Sequence, residues 1–265
     1  MLPTPSTSHI DPNHIYEPAE DSFLLLDTLS SNSEIDFLKA RFPSALPSPS
    51  TPTPLILEVG TGSGVVLAFV TAHAQTLFGR QDIFTLGVDV NNFACQATTE
   101  TIQKACKDQT TNKALGHSDI LRADLTTAFR PGTIDVLVFN PPYVPTPDLP
   151  SIPIPIPISS TIHNENAYSD SDSDFQTSSH LLSLSYAGGK DGMQVTDRLL
   201  AQLPEILKQD RGVAYILLCQ QNRPEEVMRR IRREWAGQWM VEIVGRSGKV
   251  GGWEKLVVLR IWRSY

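Results

Sequence analysis

Short apolar runs bounded by glycine or acidic residues alternate along this chain with segments whose apolar positions recur every three or four residues. The first rhythm is that of buried strands, the second that of amphipathic helices. Residues 16 to 42 read as helical, with Pro18 near the start and Leu24, Leu25 and Leu29 on one face. Leu55 to Val59 reads as a short strand, followed by a glycine turn and a helix through about Ala74. Phe84 to Val90 is a second strand, and a helix follows from about Phe93 to Lys107. Ile120 to Ala123 is a weaker third strand and Ile134 to Phe139 a fourth. Residues 193 to 208 form a helix with Leu199, Leu200, Leu203, Ile206 and Leu207 on one face. Gly212 ends it, Val213 to Leu218 is a fifth strand, and another helix opens near Pro224. Met240 to Val244 and Leu256 to Trp262 close the chain as two strands joined by a glycine-rich loop.

Strands alternating with helices predict an α/β fold, a mostly parallel seven-stranded sheet covered by helices on both faces. The short link between the last two strands predicts an antiparallel hairpin at the end.

Two stretches interrupt the alternation. Residues 43 to 54 hold five of the chain's 20 prolines and read as a linker, so residues 1–54 form an N-terminal helical segment plus linker and residues 55–265 the main domain. Pro145 to Pro157 carries six prolines, and Ser169 to Asp174 alternates serine and aspartate. Residues 145 to 180 are therefore expected to be a low-complexity, mobile surface insertion; the functional alternative is a substrate lid.

Composition narrows the function classes. The chain has 265 residues, 40% of them hydrophobic and 19% charged, as expected of a globular protein with one large core. No apolar run approaches the ~20 residues of a membrane span. The opening Met1-Leu2-Pro3-Thr4-Pro5 lacks the basic and apolar regions of a signal peptide, so a protein of the cytoplasm, or also the nucleus, is the expectation. Cys95, Cys106 and Cys219 form no CxxC pair and the histidines show no ligand spacing, so no metal is expected in this chain. A net charge of −7 argues against independent binding to a phosphate backbone. Arg229, Arg230, Arg232 and Arg233 are the exception, read as the solvated face of a helix whose Val227, Met228, Ile231 and Trp235 point inward, with a docking surface for an acidic partner or RNA as the alternative.

Chemistry enters where the strands end. Glu58-Val59-Gly60-Thr61-Gly62-Ser63-Gly64 joins the first strand to a helix, and its glycines let a ligand approach the backbone. Its spacing is neither that of a dinucleotide binder nor that of a P-loop. The second strand ends at Asp89, followed by Val90, where a carboxylate can accept both hydroxyls of a ribose. The third ends at Asp124-Leu125, an acid and an apolar residue that could bracket an adenine. The fourth ends at Asn140-Pro141-Pro142-Tyr143. Two prolines force the chain out of the sheet in a rigid extended turn, which sets an amide, bare carbonyls and an aromatic ring side by side. That group suits a planar NH2: oxygens accept its hydrogens and the ring lies against its plane. Open α/β sheets bind ligands at this edge.

The glycine loop, Asp89, Asp124 and Asn140-Pro141-Pro142-Tyr143 together resemble the motifs of class I S-adenosylmethionine-dependent methyltransferases that methylate amino groups. More narrowly, the chain resembles the eukaryotic HemK-like release-factor glutamine methyltransferases. Tyr16-Glu17-Pro18-Ala19-Glu20-Asp21-Ser22, Ala187-Gly188-Gly189-Lys190-Asp191-Gly192 and Gly212-Val213-Ala214-Tyr215-Ile216-Leu217 are close to that subgroup's signatures. The proline-rich opening resembles fungal members. The resemblance covers residues 1 to 144 and 184 to 263 but not 151 to 180. It implies the class I methyltransferase fold, S-adenosylmethionine as cofactor, and N5-methylation of the glutamine in the Gly-Gly-Gln motif of the class I translation termination factor. It also implies a heterodimer with a small zinc-binding activator, and Tyr16 and Ser22 as residues that help close the cofactor site.

On this reading the Asn140 side-chain oxygen and the Pro141 carbonyl accept the two N–H hydrogens of the substrate amide, Tyr143 packs on its plane, and the bonds strengthen as charge develops on nitrogen. An adenine-N6 methyltransferase on DNA or RNA, a protein lysine methyltransferase and a cofactor-binding scaffold without catalysis are the competing readings. The acidic balance and the lack of a nucleic-acid recognition domain oppose the first. A lysine amine is not planar and gains less from the turn, and intact acids oppose the last.

Overall fold

The computed structural model describes residues 2–43, 52–108, 117–152, 171–235, 239–248 and 255–264. Its strands are β1 (Leu55–Val59), β2 (Phe84–Asp89), β3 (His117–Arg122), β4 (Val136–Phe139), β5 (Val213–Cys219), β6 (Trp239–Arg246) and β7 (Leu256–Arg263). They form one sheet in the order β3-β2-β1-β4-β5-β7-β6. β1 to β5 run parallel, and β7 enters antiparallel between β5 and β6. The expected seven-stranded sheet with a C-terminal antiparallel hairpin is therefore present, with β7 rather than β6 beside β5.

β5 shows why the apolar runs are continuous rather than alternating. Val213, Tyr215, Leu217 and Cys219 join one core cluster, while Ala214, Ile216 and Leu218 join a second on the opposite face. Helices α1 (Glu20–Leu29), α2 (Asn32–Arg41), α3 (Val65–Ala72) and α4 (Ala74–Phe78) pack on the first side. α7 (Gln194–Ile206) and α8 (Pro224–Glu234) cover the second. A strand buried on both faces has no position for a polar side chain without a partner. α5 (Asn92–Asp108) packs beside α3 and β2–β3, and α6 (Ser171–Tyr186) follows the insert.

Several expectations change. The stretch 16 to 42 is not one helical run: α1 starts at Glu20, and α2 restarts after Ser31, whose hydroxyl accepts from the Glu34 amide at 3.4 Å. A serine in extended backbone ends one helix by capping the next. The helix expected through Ala74 stops at Ala72 and resumes as α4. β3 begins at His117, three residues earlier than expected. Ile134 lies outside β4 and makes an isolated bridge to Leu207. Ser171 to His180, expected within a mobile insertion, begins α6. Serines and acids that read as low complexity also suit a helix's first turns. Residues 44–51 of the linker and 153–170 of the insert lie outside the described residues.

The arginine cluster behaves as a helix face. Val227 and Ile231 of α8 are buried. Arg229 pairs with Glu226, Arg230 with Asp197 and Arg233 with Glu234, while Arg232 donates to the Val241 carbonyl at 2.8 Å.

Candidate active site

The carboxyl ends of β1, β2, β3 and β4 open onto one cavity of about 240 Å³. Tyr16, Ser22, Glu58, Gly60, Gly62, Asp89, Val90, Asp124, Leu125, Asn140 and Pro142 all line it. Pro141 is buried and Tyr143 packs against the first core cluster, so these two flank the cavity instead.

The glycine loop is shaped by its own backbone. Gly60, Gly62 and Gly64 all have positive φ, which disfavours any side chain. Gly64 caps α3 without a side chain, and the carboxylate of Glu58, from the end of β1, accepts the α3 backbone N–H of Leu67 at 2.9 Å. Burial raises the Glu58 pKa well above the carboxylate range, against that hydrogen bond, and the nearby Asp89 charge pushes the same way. Asp89 accepts from the Gly62 N–H at 3.0 Å and from the Asn91 N–H at 2.8 Å. Burial raises its pKa too, and those backbone donors oppose the rise. Each oxygen retains lone-pair capacity for a ligand hydroxyl.

The Asp124 carboxylate forms an ion pair with Arg198 of α7, while Leu125, at φ 51, turns inward and is buried. Arg198 thus competes for the oxygen that a base amine would need, a feature invisible in the sequence because the partners lie 74 residues apart.

The Asn140 amide is fixed from the N-terminal segment. Its Nδ2 donates to Asp21 at 3.1 Å, and the other Asp21 oxygen accepts from the Ser22 N–H at 2.6 Å. Asn140 Oδ1 is buried and has no hydrogen-bond partner among the described residues.

The rest of the turn is held from outside. A Cβ on Gly188 would meet the Pro142 carbonyl at 2.4 Å, and one on Gly192 the Tyr143 carbonyl at 2.0 Å. Asn222 donates to the Tyr143 and Asp191 carbonyls, both at 3.1 Å. Gly188 and Gly192 lie directly on the turn's backbone, whereas Gly189, at φ +69, faces the Gln194 side chain.

Sequence reasoning missed Asp21, Arg198, His14 and the walls from the insert's flanks. Asp21 stands inside the Tyr16–Ser22 motif, and that position was the available signal. Leu149, Pro150 and Ile152 from one flank and Leu181 and Leu184 of α6 line the cavity, so the described flanks contribute to the site rather than extending away from it. His180 of α6 holds the Ser151 carbonyl at 2.8 Å. His14 lies at the cavity rim with its ring stacked on Phe93, centroids 4.2 Å apart. Among the described residues no group of three His, Cys, Asp or Glu could hold a metal ion.

No family model matches the chain. Curated proteins do. Methyltransferase HEMK2 of Homo sapiens is 31% identical over 218 residues, 81% of this chain and 76% of its own length. The eRF1 methyltransferase catalytic subunit mtq2 of Schizosaccharomyces pombe is 30% identical over 99% of this chain and 96% of its own length. Among solved structures, the Mtq2 chain of the E. cuniculi Mtq2–Trm112 complex superposes with a TM-score of 0.51. That match covers 95% of this chain and 99% of the other at 22% identity, and bears on the fold alone. A class I methyltransferase sheet, a glycine loop and acids lining one cavity, and near-full-length identity at this level place the chain in the HEMK2/Mtq2 family of methyltransferases.

Proposed function

We propose that this chain is the catalytic subunit that transfers a methyl group from S-adenosylmethionine to the glutamine side-chain nitrogen of the Gly-Gly-Gln motif in the class I translation termination factor. The observation that carries this reading is Asn140: the residue lines the cavity, and its Oδ1 is a buried acceptor without a hydrogen-bond partner among the described residues. Buried acceptors are rarely left unpaired, and this one fits an incoming N–H. The relatives' names support the choice of acceptor, because one is an eRF1 methyltransferase catalytic subunit.

The residues present fit the cofactor. A Cβ on Gly62 would meet nothing within 4 Å, so the loop leaves room for close approach, and Asp89 stands beside it to accept ribose hydroxyls. When bound, the sulfonium supplies an activated methyl group and a neutral leaving group. The protein's task is then alignment. Asn140 Oδ1 takes one hydrogen of the acceptor amide and the Pro141 carbonyl, at the cavity's flank, takes the other, which points the nitrogen lone pair at the methyl carbon. The Pro142 carbonyl faces Gly188 and the Tyr143 carbonyl is occupied by Asn222, so neither competes for that role. Both bonds strengthen as nitrogen becomes positive, before its proton passes to water.

The partner we assign is a small zinc-binding activator, docked on β3, an edge strand of the described sheet. β6, the opposite edge, abuts α1 and α8. Among the described residues β3 has one strand neighbour, and exposed Leu121 on β3 and Phe84 on the adjoining β2 stand at this edge. An unpaired strand flanked by exposed apolar side chains is a template for strand addition.

The test is methyl transfer from labelled cofactor to the intact termination factor, to a variant lacking the Gly-Gly-Gln glutamine, to histone and to DNA, each with and without the activator. Label on the intact factor alone, dependent on the activator, is expected. In the same assay Asn140→Ala should lose ~10²–10³ of the rate. Label on DNA or on histone lysine instead would sink the assignment.

A further inference from the structure

We propose that Asp21 is the positioning residue that sets the orientation of the Asn140 amide and so makes the turn an acceptor of substrate N–H. The inference rests on the function proposed above and names a residue that the reaction needs beyond the Asn-Pro-Pro-Tyr turn. An amide can present either its oxygen or its NH2 to the cavity, and the two choices have opposite consequences for an incoming NH2 group. An ionised carboxylate accepts and cannot donate. Asp21 lies 6% exposed, with one oxygen taking Asn140 Nδ2 at 3.1 Å. Its other oxygen takes the Ser22 N–H at 2.6 Å and the Ser22 hydroxyl at 3.3 Å, so the carboxylate is itself held. The amide must therefore keep its NH2 on Asp21, and Oδ1 takes the remaining direction, buried and without a partner among the described residues. Asn140 and Asp21 both line the cavity, as does Ser22. One carboxylate thus ties the N-terminal segment to the acceptor turn across 119 residues of chain.

The test uses the complete heterodimer. Asp21→Asn preserves shape but leaves one acceptor oxygen for the three donors that the carboxylate serves. If that oxygen stays on the Ser22 N–H, the new NH2 faces Asn140, whose amide turns over and presents NH2 to the cavity. Methyl transfer should then fall by about 10²–10³-fold, while calorimetric affinity for the cofactor product, S-adenosylhomocysteine, is largely retained. N140D alone sets two carboxylates against each other and should be similarly slow. The pair D21N/N140D restores a donor–acceptor match: the new amide at position 21 donates to one carboxylate oxygen at position 140, and the other oxygen faces the cavity. The swapped enzyme should run at least about tenfold faster than either single variant, a rescue that a packing role does not give. A D21N enzyme at the parental rate, or a swap no faster than the singles, overturns the inference.

The side-chain amide resonance of Asn140, identified by its loss in Asn140→Ala, gives a readout independent of the acceptor and of turnover. It should shift in Asp21→Asn, and an unmoved resonance overturns the inference as well. Failure of the parental heterodimer to methylate the termination factor would overturn the functional reading and leave this resonance to decide Asp21's part.

Discussion

A methyl group on Gly64 would stand 2.5 Å from the Cα of Thr98, with Gly64 itself at φ +76. The glycine loop is therefore clamped from behind by α5, not merely free to bend. Thr98 also donates to the Thr61 hydroxyl at 2.9 Å and so holds the loop at a second point.

Gly64→Ala and Gly62→Ala should therefore fail in different ways. At Gly64 the strain of positive φ adds to overlap with backbone that cannot yield, for a loss of about 2–4 kcal/mol in urea unfolding. At Gly62, φ is +51 but nothing lies within 4 Å. Its alanine should cost about 1 kcal/mol of stability and act chiefly on cofactor affinity, because the new methyl occupies ligand space. Equal stability losses at the two positions would contradict the clamp.

Asp89 connects affinity to pH. Burial raises its carboxyl above the ordinary 3.8, so the free protein holds that proton at higher pH than an exposed aspartate would. A ribose hydroxyl donates to the ionised form, so cofactor binding should release protons, and affinity should fall as pH drops from 7 toward 4. Calorimetry in two buffers of different ionisation enthalpy measures the release directly. Asp89→Ala should diminish it, Glu58 being a second buried carboxyl on the same cavity, and weaken binding by ~10- to 150-fold, the worth of a charged hydrogen bond. A pH-independent affinity in the parental protein would refute the ribose role.

The order of the site was legible in the sequence because each chemical group sits directly after an apolar run. The period-2 burial of Val213 to Cys219 on two cores explains why the run reads as wholly apolar. What escaped was whatever depends on distant parts of the chain meeting. Asp21 to Asn140, Asp124 to Arg198 and Asn222 to Tyr143 join residues 119, 74 and 79 positions apart, and no local spacing announces them. The order of the last two strands escaped for the same reason: a hairpin's register does not say which arm meets the parallel sheet. α6 was hidden differently, since serine and aspartate carry turn and helix-start signals alike.

Asn222 offers a test of how the turn is held. It is 2% exposed, accepts from the Cys219 N–H at 2.8 Å and donates to carbonyls of both the turn and the glycine-rich segment facing it. Asn222→Ala should cost about 1–3 kcal/mol of stability, as expected when buried partners are left unpaired. The more telling effect is kinetic. With the Tyr143 carbonyl released, kcat should fall by at least tenfold while cofactor affinity changes little, since displacements near 1 Å cost about that or more. A variant with lowered stability but parental kcat would assign Asn222 to packing alone.

The N-terminal segment is fixed to the sheet by a buried charge network far from the chemistry. Glu34 of α2, 1% exposed, accepts from Arg260 of β7 at 2.8 and 2.9 Å and from the Tyr215 hydroxyl of β5 at 2.8 Å. Arg260 lies over the Phe37 ring at 3.9 Å and also donates to Glu242 at 3.0 Å. Burial, then the Glu34 charge, raises the Tyr215 pKa well above 10, which keeps its hydroxyl a donor. Glu34→Ala would leave Arg260 buried with Glu242 as its remaining carboxylate and should cost about 3–5 kcal/mol in denaturant unfolding. Tyr215→Phe removes one bond to a charged group, for about 1.5–3 kcal/mol. Because both act on one carboxylate, the double variant should cost less than the sum. Replacing Glu34 and Arg260 together by leucine and methionine should cost less than Glu34→Ala alone, since it removes the stranded charge. A Glu34→Ala loss below about 1 kcal/mol, the level of an exposed pair, would mean that apolar packing of Leu25, Leu29 and Leu38 holds this segment without the network.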